Sequence, residues 1–139
     1  MSRPTFPVGA NVFVIKDGKL LLGKRKSSYH DSEWGLPGGH VELREKILDA
    51  AKRELEEETG LVAEKCSFVL VQNDIRQDDN QYIHFGLLAE NVSGTLENKE
   101  PEKCYEWEYF PLDALPTPIF IGHEKLIAAF LKKEVFSEA

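Results

Sequence analysis

A layered α+β domain is the fold class this sequence predicts, and three features predict it. Apolar, β-rich runs open the chain and return after residue 60, one amphipathic helical stretch is inserted early, and a second closes the C-terminal end. With 139 residues, 42% apolar and 29% charged, the chain suits one domain over residues 1–139 built around a single core. No linker, low-complexity segment or repeat period interrupts it.

The elements follow in chain order. Val8 to Ile15 reads as a strand, Asp17-Gly18 as a tight hairpin turn, and Leu20 to Leu22 as the returning strand. Leu36-Pro37-Gly38-Gly39 reads as a loop, because proline lacks an amide donor and paired glycines are free to take positive φ. From about Glu45 to Thr59 good helix formers dominate, with Ile47, Leu48, Ala51 and Leu55 spaced as a buried stripe and Gly60 as the stop. Phe68 to Val71 and Tyr82 to Ala89 are β-rich and are separated by the polar stretch Gln72 to Gln81. Glu106 to Phe110 alternates acid with aromatic as a short strand would. His123 to Lys133 repeats Leu126, Ile127, Phe130 and Leu131 at helical spacing.

The first helix carries the chemistry. At about 100° per residue, Glu54, Glu57 and Glu58 share one sector, while Glu56 points nearly opposite into solvent. Like charges on neighbouring turns repel unless a cation sits among them, and hard oxygen ligands suit Mg²⁺ or Mn²⁺ rather than zinc. Glu-Leu-Glu-Glu-Glu alone is ordinarily a solvated helix face. Arg53, Glu45 and the flanking glycines turn the reading toward a metal site.

Gly39, five residues, Glu45, seven residues, Arg53-Glu54-Leu55, Glu56, Glu57-Glu58, Thr59 and Gly60-Leu61 together resemble the Nudix box, G-x5-E-x7-R-E-U-x-E-E-x-G-U with U aliphatic, at every specified position. The resemblance implies a Nudix α/β/α sandwich around a mixed central sheet. It also implies Mg²⁺-dependent diphosphate hydrolysis, with Mn²⁺ able to substitute. Glu54, Glu57, Glu58 and the Gly38 carbonyl would bind metal, and Glu45 and Arg53 would orient the cage. Three further segments look like the oxidised-purine and thiopurine nucleotide diphosphatase branch and its plant relatives: Leu21-Leu22-Gly23-Lys24-Arg25, Leu36-Pro37-Gly38-Gly39-His40-Val41-Glu42, and Glu100-Pro101-Glu102-Lys103-Cys104 followed by Trp107.

The implied reaction converts a nucleoside triphosphate, modified or deoxy, to the monophosphate and pyrophosphate. Alternatives are another diphosphate, such as ADP-ribose or geranyl diphosphate, and a nucleotide-sensing module without turnover. Lys24, Arg25, Gly39 and His40 are the expected substrate contacts, and strand alternation sends Lys24 and Arg25 to opposite faces. Glu100 and Glu102 lie on a loop that the resemblance places near the metal, where each is either an added ligand or base or a solvated acid. His30, His84, His123, Trp34, Phe85 and Trp107 read first as surface or packing residues.

The net charge of −7 argues against a nucleic acid polymer and leaves small anionic substrates open. The Met1-Ser2-Arg3-Pro4 start has no apolar signal core and no run approaches a membrane span, so a cytoplasmic protein is expected. Cys66 and Cys104 read as free thiols, and a homodimer is left open.

Overall fold

The computed structural model describes residues 3–138; Met1, Ser2 and Ala139 lie outside them. Strand β1 (Val8–Phe13) runs parallel to β7 (Gln81–Ser93), with Val8 opposite Ile83 and Phe13 opposite Leu88. On its other edge β1 pairs antiparallel with β5 (Gly38–His40), and β7 pairs antiparallel with the long β6 (Val62–Ile75). A parallel edge strand, β9 (Phe136–Glu138), completes a mixed sheet in the order β5-β1-β7-β6-β9. A smaller antiparallel sheet holds β2 (Ile15–Lys16), β3 (Lys19–Arg25), β4 (Trp34–Gly35) and β8 (Cys104–Pro111), the last paired with β3.

Alternation along β1 explains the layers. Ala10 and Val12, with Val14 just beyond the strand, enter one apolar cluster with Ala50, Ala51 and Leu55 of α1 (Ile47–Thr59). Phe13 enters the other with Leu126, Ile127 and Ala129 of α2 (Ile121–Leu131), its ring stacked 4.0 Å from that of Phe130. Helices thus cover both faces of the mixed sheet, which is the expected α+β sandwich.

Several boundaries differ from the sequence expectation. The opening run breaks at Val14, and Ile15–Lys16 pairs in the other sheet. Part of the Pro-Gly-Gly loop is a strand, because Gly38 and Gly39 lie directly against Asn11 and Ala10 of β1. A Cβ on Gly38, whose φ is 151°, would collide with the Ala10 carbonyl, so only glycine allows that approach. Helix α1 starts at Ile47, leaving Glu45 in the preceding turn, and Leu48 is exposed while Ala50 takes its expected place in the core. Gly60 does end α1, in the left-handed conformation with its N–H on the Glu56 carbonyl. The polar stretch after Val71 is strand as far as Ile75.

Candidate active site

The glycine-bearing strand β5 and helix α1 meet at the carboxylates. Gly39 has no side chain where Glu54 lies, and a Cβ there would come within 2.6–2.7 Å of the Glu54 carboxylate. The Gly38 N–H points at both oxygens of Glu58, at 3.3 and 3.4 Å. Burial, followed by the adjoining Glu54, pushes the Glu58 carboxyl up to about 10, and the Gly38 N–H offsets only part of this.

Arg53 organises the remaining acids. Its Nε and Nη2 grip Glu45 at 2.7 and 3.0 Å, Nη1 reaches Glu54 at 2.9 Å and Glu57 at 3.2 Å, and Nη2 also donates to the His40 carbonyl at 3.3 Å. Glu45 is held below the usual carboxylate range by this guanidinium, and Arg53 is raised in turn, first by Glu45. Glu57 is half exposed, with 51% of its side chain accessible against 17% for Glu54. Glu56 is exposed and outside this network, as the helical register predicts.

As these side chains lie, no group of three His, Cys, Asp or Glu residues among those described converges to hold an ion. Arg53 draws Glu54 and Glu57 to itself, while Glu58 faces the Gly38 amide. The donor set still fits a hard divalent cation. Glu54 and Glu58 are neighbouring carboxylates, Glu58 is desolvated without a cationic partner, and the Gly39 cradle holds Glu54 beside it.

The carboxylates open into a cleft of about 540 Å³. Of the expected substrate contacts, Arg25, Gly39 and His40 line it, and Lys24 does not. Strand alternation turns Lys24 toward Tyr105, 6.0 Å from the ring centroid. The Arg25 guanidinium lies 3.9 Å from the centroid of Phe120, and burial lowers its pKa. Its charged neighbours are Glu33 and Arg76 rather than any acid of the box, which sets it at the aromatic end of the cleft. Glu100 lines the cleft, close enough to Glu58 to raise it further, whereas Glu102 is exposed and outside the lining.

Sequence reasoning did not single out Asn11, Asp74, Arg76 or Phe120. Arg76 bonds Asp74 at 2.9 Å with both side chains more than nine-tenths buried, and its guanidinium lies 4.6 Å from the Tyr82 centroid. Burial works to raise Asp74, yet the neighbouring His84 and the bond from Arg76 prevail and hold it low. The contact of His84 Nε2 with Asp74, 3.3 Å, is off-axis, and Asn11 meets the other ring nitrogen at 3.0 Å. A signal was present in Asp74 facing Tyr82 and Gln72 facing His84 across a hairpin, hidden because the segment reads as a polar separator.

The NUDIX domain family model matches residues 5–130. An ADP-ribose pyrophosphatase of Methanocaldococcus jannaschii is 33% identical over 126 residues, 90% of this chain and 73% of the relative. The chain belongs to the Nudix family. An 8-oxo-dGDP phosphatase of Danio rerio is 34% identical over 89 residues, 64% of this Nudix chain but only 26% of that longer protein. Among solved structures, the MutT NUDIX hydrolase from Burkholderia pseudomallei superposes with a TM-score of 0.84 at 31% identity, covering 90% of this chain and 98% of the other. The relatives are named as phosphatases and hydrolases, and the chain is a Nudix pyrophosphohydrolase. None of its described helices is long and apolar enough to cross a membrane.

Proposed function

We propose that this chain is a Mg²⁺-dependent Nudix hydrolase that cleaves a nucleoside triphosphate, modified or deoxy, to the monophosphate and pyrophosphate. The observation that carries the reading is the buried Glu58 carboxyl beside Glu54 and the Gly38 amide, at the mouth of a cleft whose other walls are cationic and aromatic. Glu54, Glu57 and Glu58, with the Gly38 carbonyl, would hold the metal. When bound, the ion supplies charge stabilisation to the phosphate oxygens and lowers the pKa of water.

The chain's own groups do the rest. Arg53 holds Glu45, Glu54 and Glu57 in one fork, so the acids are positioned before substrate arrives. Water adds to one phosphorus, its proton passes to Glu58, Glu57, Glu54 or Glu100, and the pyrophosphate leaves. Arg25, Arg76 and Lys103 line the cleft and bring positive charge to it beside the acids. A nucleotide-sensing module without turnover fits less well, because every acid of the box is present and arranged. A second reading, ADP-ribose hydrolysis, is favoured by the name of the archaeal relative.

The test is a chromatographic product assay over deoxynucleoside triphosphates, oxidised purine nucleotides, ADP-ribose and geranyl diphosphate. Pyrophosphate and monophosphate should form from triphosphates, cease on chelation, and return with Mg²⁺ or Mn²⁺ more than with Ca²⁺. Faster turnover of ADP-ribose or geranyl diphosphate than of every triphosphate would refute the substrate reading, and full activity after exhaustive chelation would refute the metal.

A further inference from the structure

Two paired glycines floor the aromatic end of the cleft. Gly23 of β3 lies opposite Gly35 of β4, so this patch of the small sheet carries no side chains. Trp107 fills the space over Gly23, where a Cβ would meet ring carbons at 2.7–2.9 Å. His123 fills the space over Gly35, where a Cβ would meet its Nδ1 at 3.0 Å. One residue from β8 and one from α2 are thereby brought over neighbouring positions of one floor. Phe120 stands edge-on to His123 with centroids 5.0 Å apart and carries the Arg25 guanidinium on its face.

The hydrogen-bond polarity of this wall is one-sided. The Leu36 N–H donates to His123 Nδ1 at 3.0 Å, so the neutral ring must carry its proton on Nε2. Burial, then His84, Arg25 and Arg76, keeps that ring neutral. Nε2 has no protein partner among the described residues, which leaves an N–H on a residue that lines the cleft. Trp107 Nε1 and Arg25 Nε are buried without partners and closed off from the cleft as the side chains lie. Indole and guanidinium N–H groups donate and cannot accept. An unpaired buried donor is costly, and aromatic walls favour a planar guest.

We propose that His123 is a specificity-determining residue that donates from Nε2 to an acceptor atom on the group attached to the diphosphate, selecting a planar base with a ring carbonyl at its reading edge over the same base bearing an exocyclic amine. This rests on the Nudix hydrolase reading above and adds what hangs from the diphosphate. An amine would set donor against donor and leave both unpaired. Arg25, stacked on Phe120, and the Trp107 ring line the same cleft and give such a base planar surfaces to pack against.

The experiment compares kcat/KM for two matched pairs, dITP with dATP and dUTP with dCTP. The wild-type protein should favour the carbonyl member of each by about 10-fold or more. His123→Asn keeps an oxygen for the Leu36 amide but has no donor at Nε2, and Trp107→Phe keeps the ring over Gly23 without its N–H. His123→Asn should cut the preference to within about 3-fold, through a higher KM for the carbonyl substrate and with kcat little changed, whereas Trp107→Phe should keep it. A purely structural role would lower all four substrates alike. Calorimetric binding of dIMP against dAMP separates this proposal from the hydrolase reading. Tighter dIMP binding, by about 10-fold, without turnover of any triphosphate would overturn the hydrolase and leave the proposal standing. Equal binding of the two monophosphates, or a preference that His123→Asn leaves unchanged, would overturn the proposal itself.

Discussion

Glu58→Gln should make the metal-free protein more stable at alkaline pH while abolishing its function. The Glu58 carboxyl sits at about 10 in the fold against an ordinary 4.5, burial being the first cause and Glu54 the second. Between those values the folded state holds a proton that the unfolded chain has released, so stability falls as pH rises. Its contribution is fully present below pH 4.5 and is lost progressively toward pH 10. At 1.36 kcal/mol per unit of pKa, moving from pH 6 to pH 9 costs up to ~4 kcal/mol, less whatever the coupled Glu54 absorbs. For a chain of this size that is on the order of 10 °C in Tm. Glutamine keeps the shape and removes the titration. Thermal unfolding in chelator at several pH values should therefore show a steep decline for the wild type and a flatter one for the variant. Added Mg²⁺ should rescue the wild type more at pH 9 than at pH 6, since binding displaces the proton, and should barely move the variant. Superimposable pH profiles in chelator would refute the buried-carboxyl reasoning.

Two further outcomes follow from side-chain placement. Glu57→Gln should lower kcat by on the order of 10²-fold or more while Glu56→Gln stays within a few-fold, because Glu57 is tied to Arg53 and Glu56 is not; steady-state kinetics with equal losses would show that the two acids are not distinguished. Arg25→Ala should raise KM about 10-fold or more, whereas Lys24→Ala should leave it within about 2-fold, since only Arg25 lines the cleft; the reverse order would mean that the strand presents its other face to substrate.

The first helix is legible because its apolar residues, its acids and its terminal glycine all report one period and one stop. The second helix is also legible, displaced by two residues to Ile121 because its first turn closes on the Phe120 carbonyl, which accepts from the His123 and Glu124 N–H groups ahead of the apolar repeat. Strand ends are harder to read. Gln72, Asn73 and Asp74 look like turn residues, yet they extend β6 because Tyr82 to His84 stand opposite to pair with them. The edge strand β9 owes its existence to three register partners toward the C-terminal end of β6, and nothing local to Phe136–Glu138 announces it.

The site divides in the same way. The acids on α1 lie within one helical turn or two of each other, so their sequence spacing states their geometry. Arg53 reaching Glu45 follows from the turn before the helix, eight residues away. The aromatic end is assembled from β3, β4, β7, β8 and α2 with Arg76 just past β6, and the contact from Leu36 to His123 spans 87 residues. No local pattern encodes such a meeting. What the sequence does hold is the small residue each partner requires: Gly23 under Trp107, Gly35 under His123, and Gly122 beside Arg76. Each is a glycine whose φ is not in the left-handed region, so close packing rather than backbone conformation accounts for it. Replacing any of them would displace a cleft-lining side chain without touching the box.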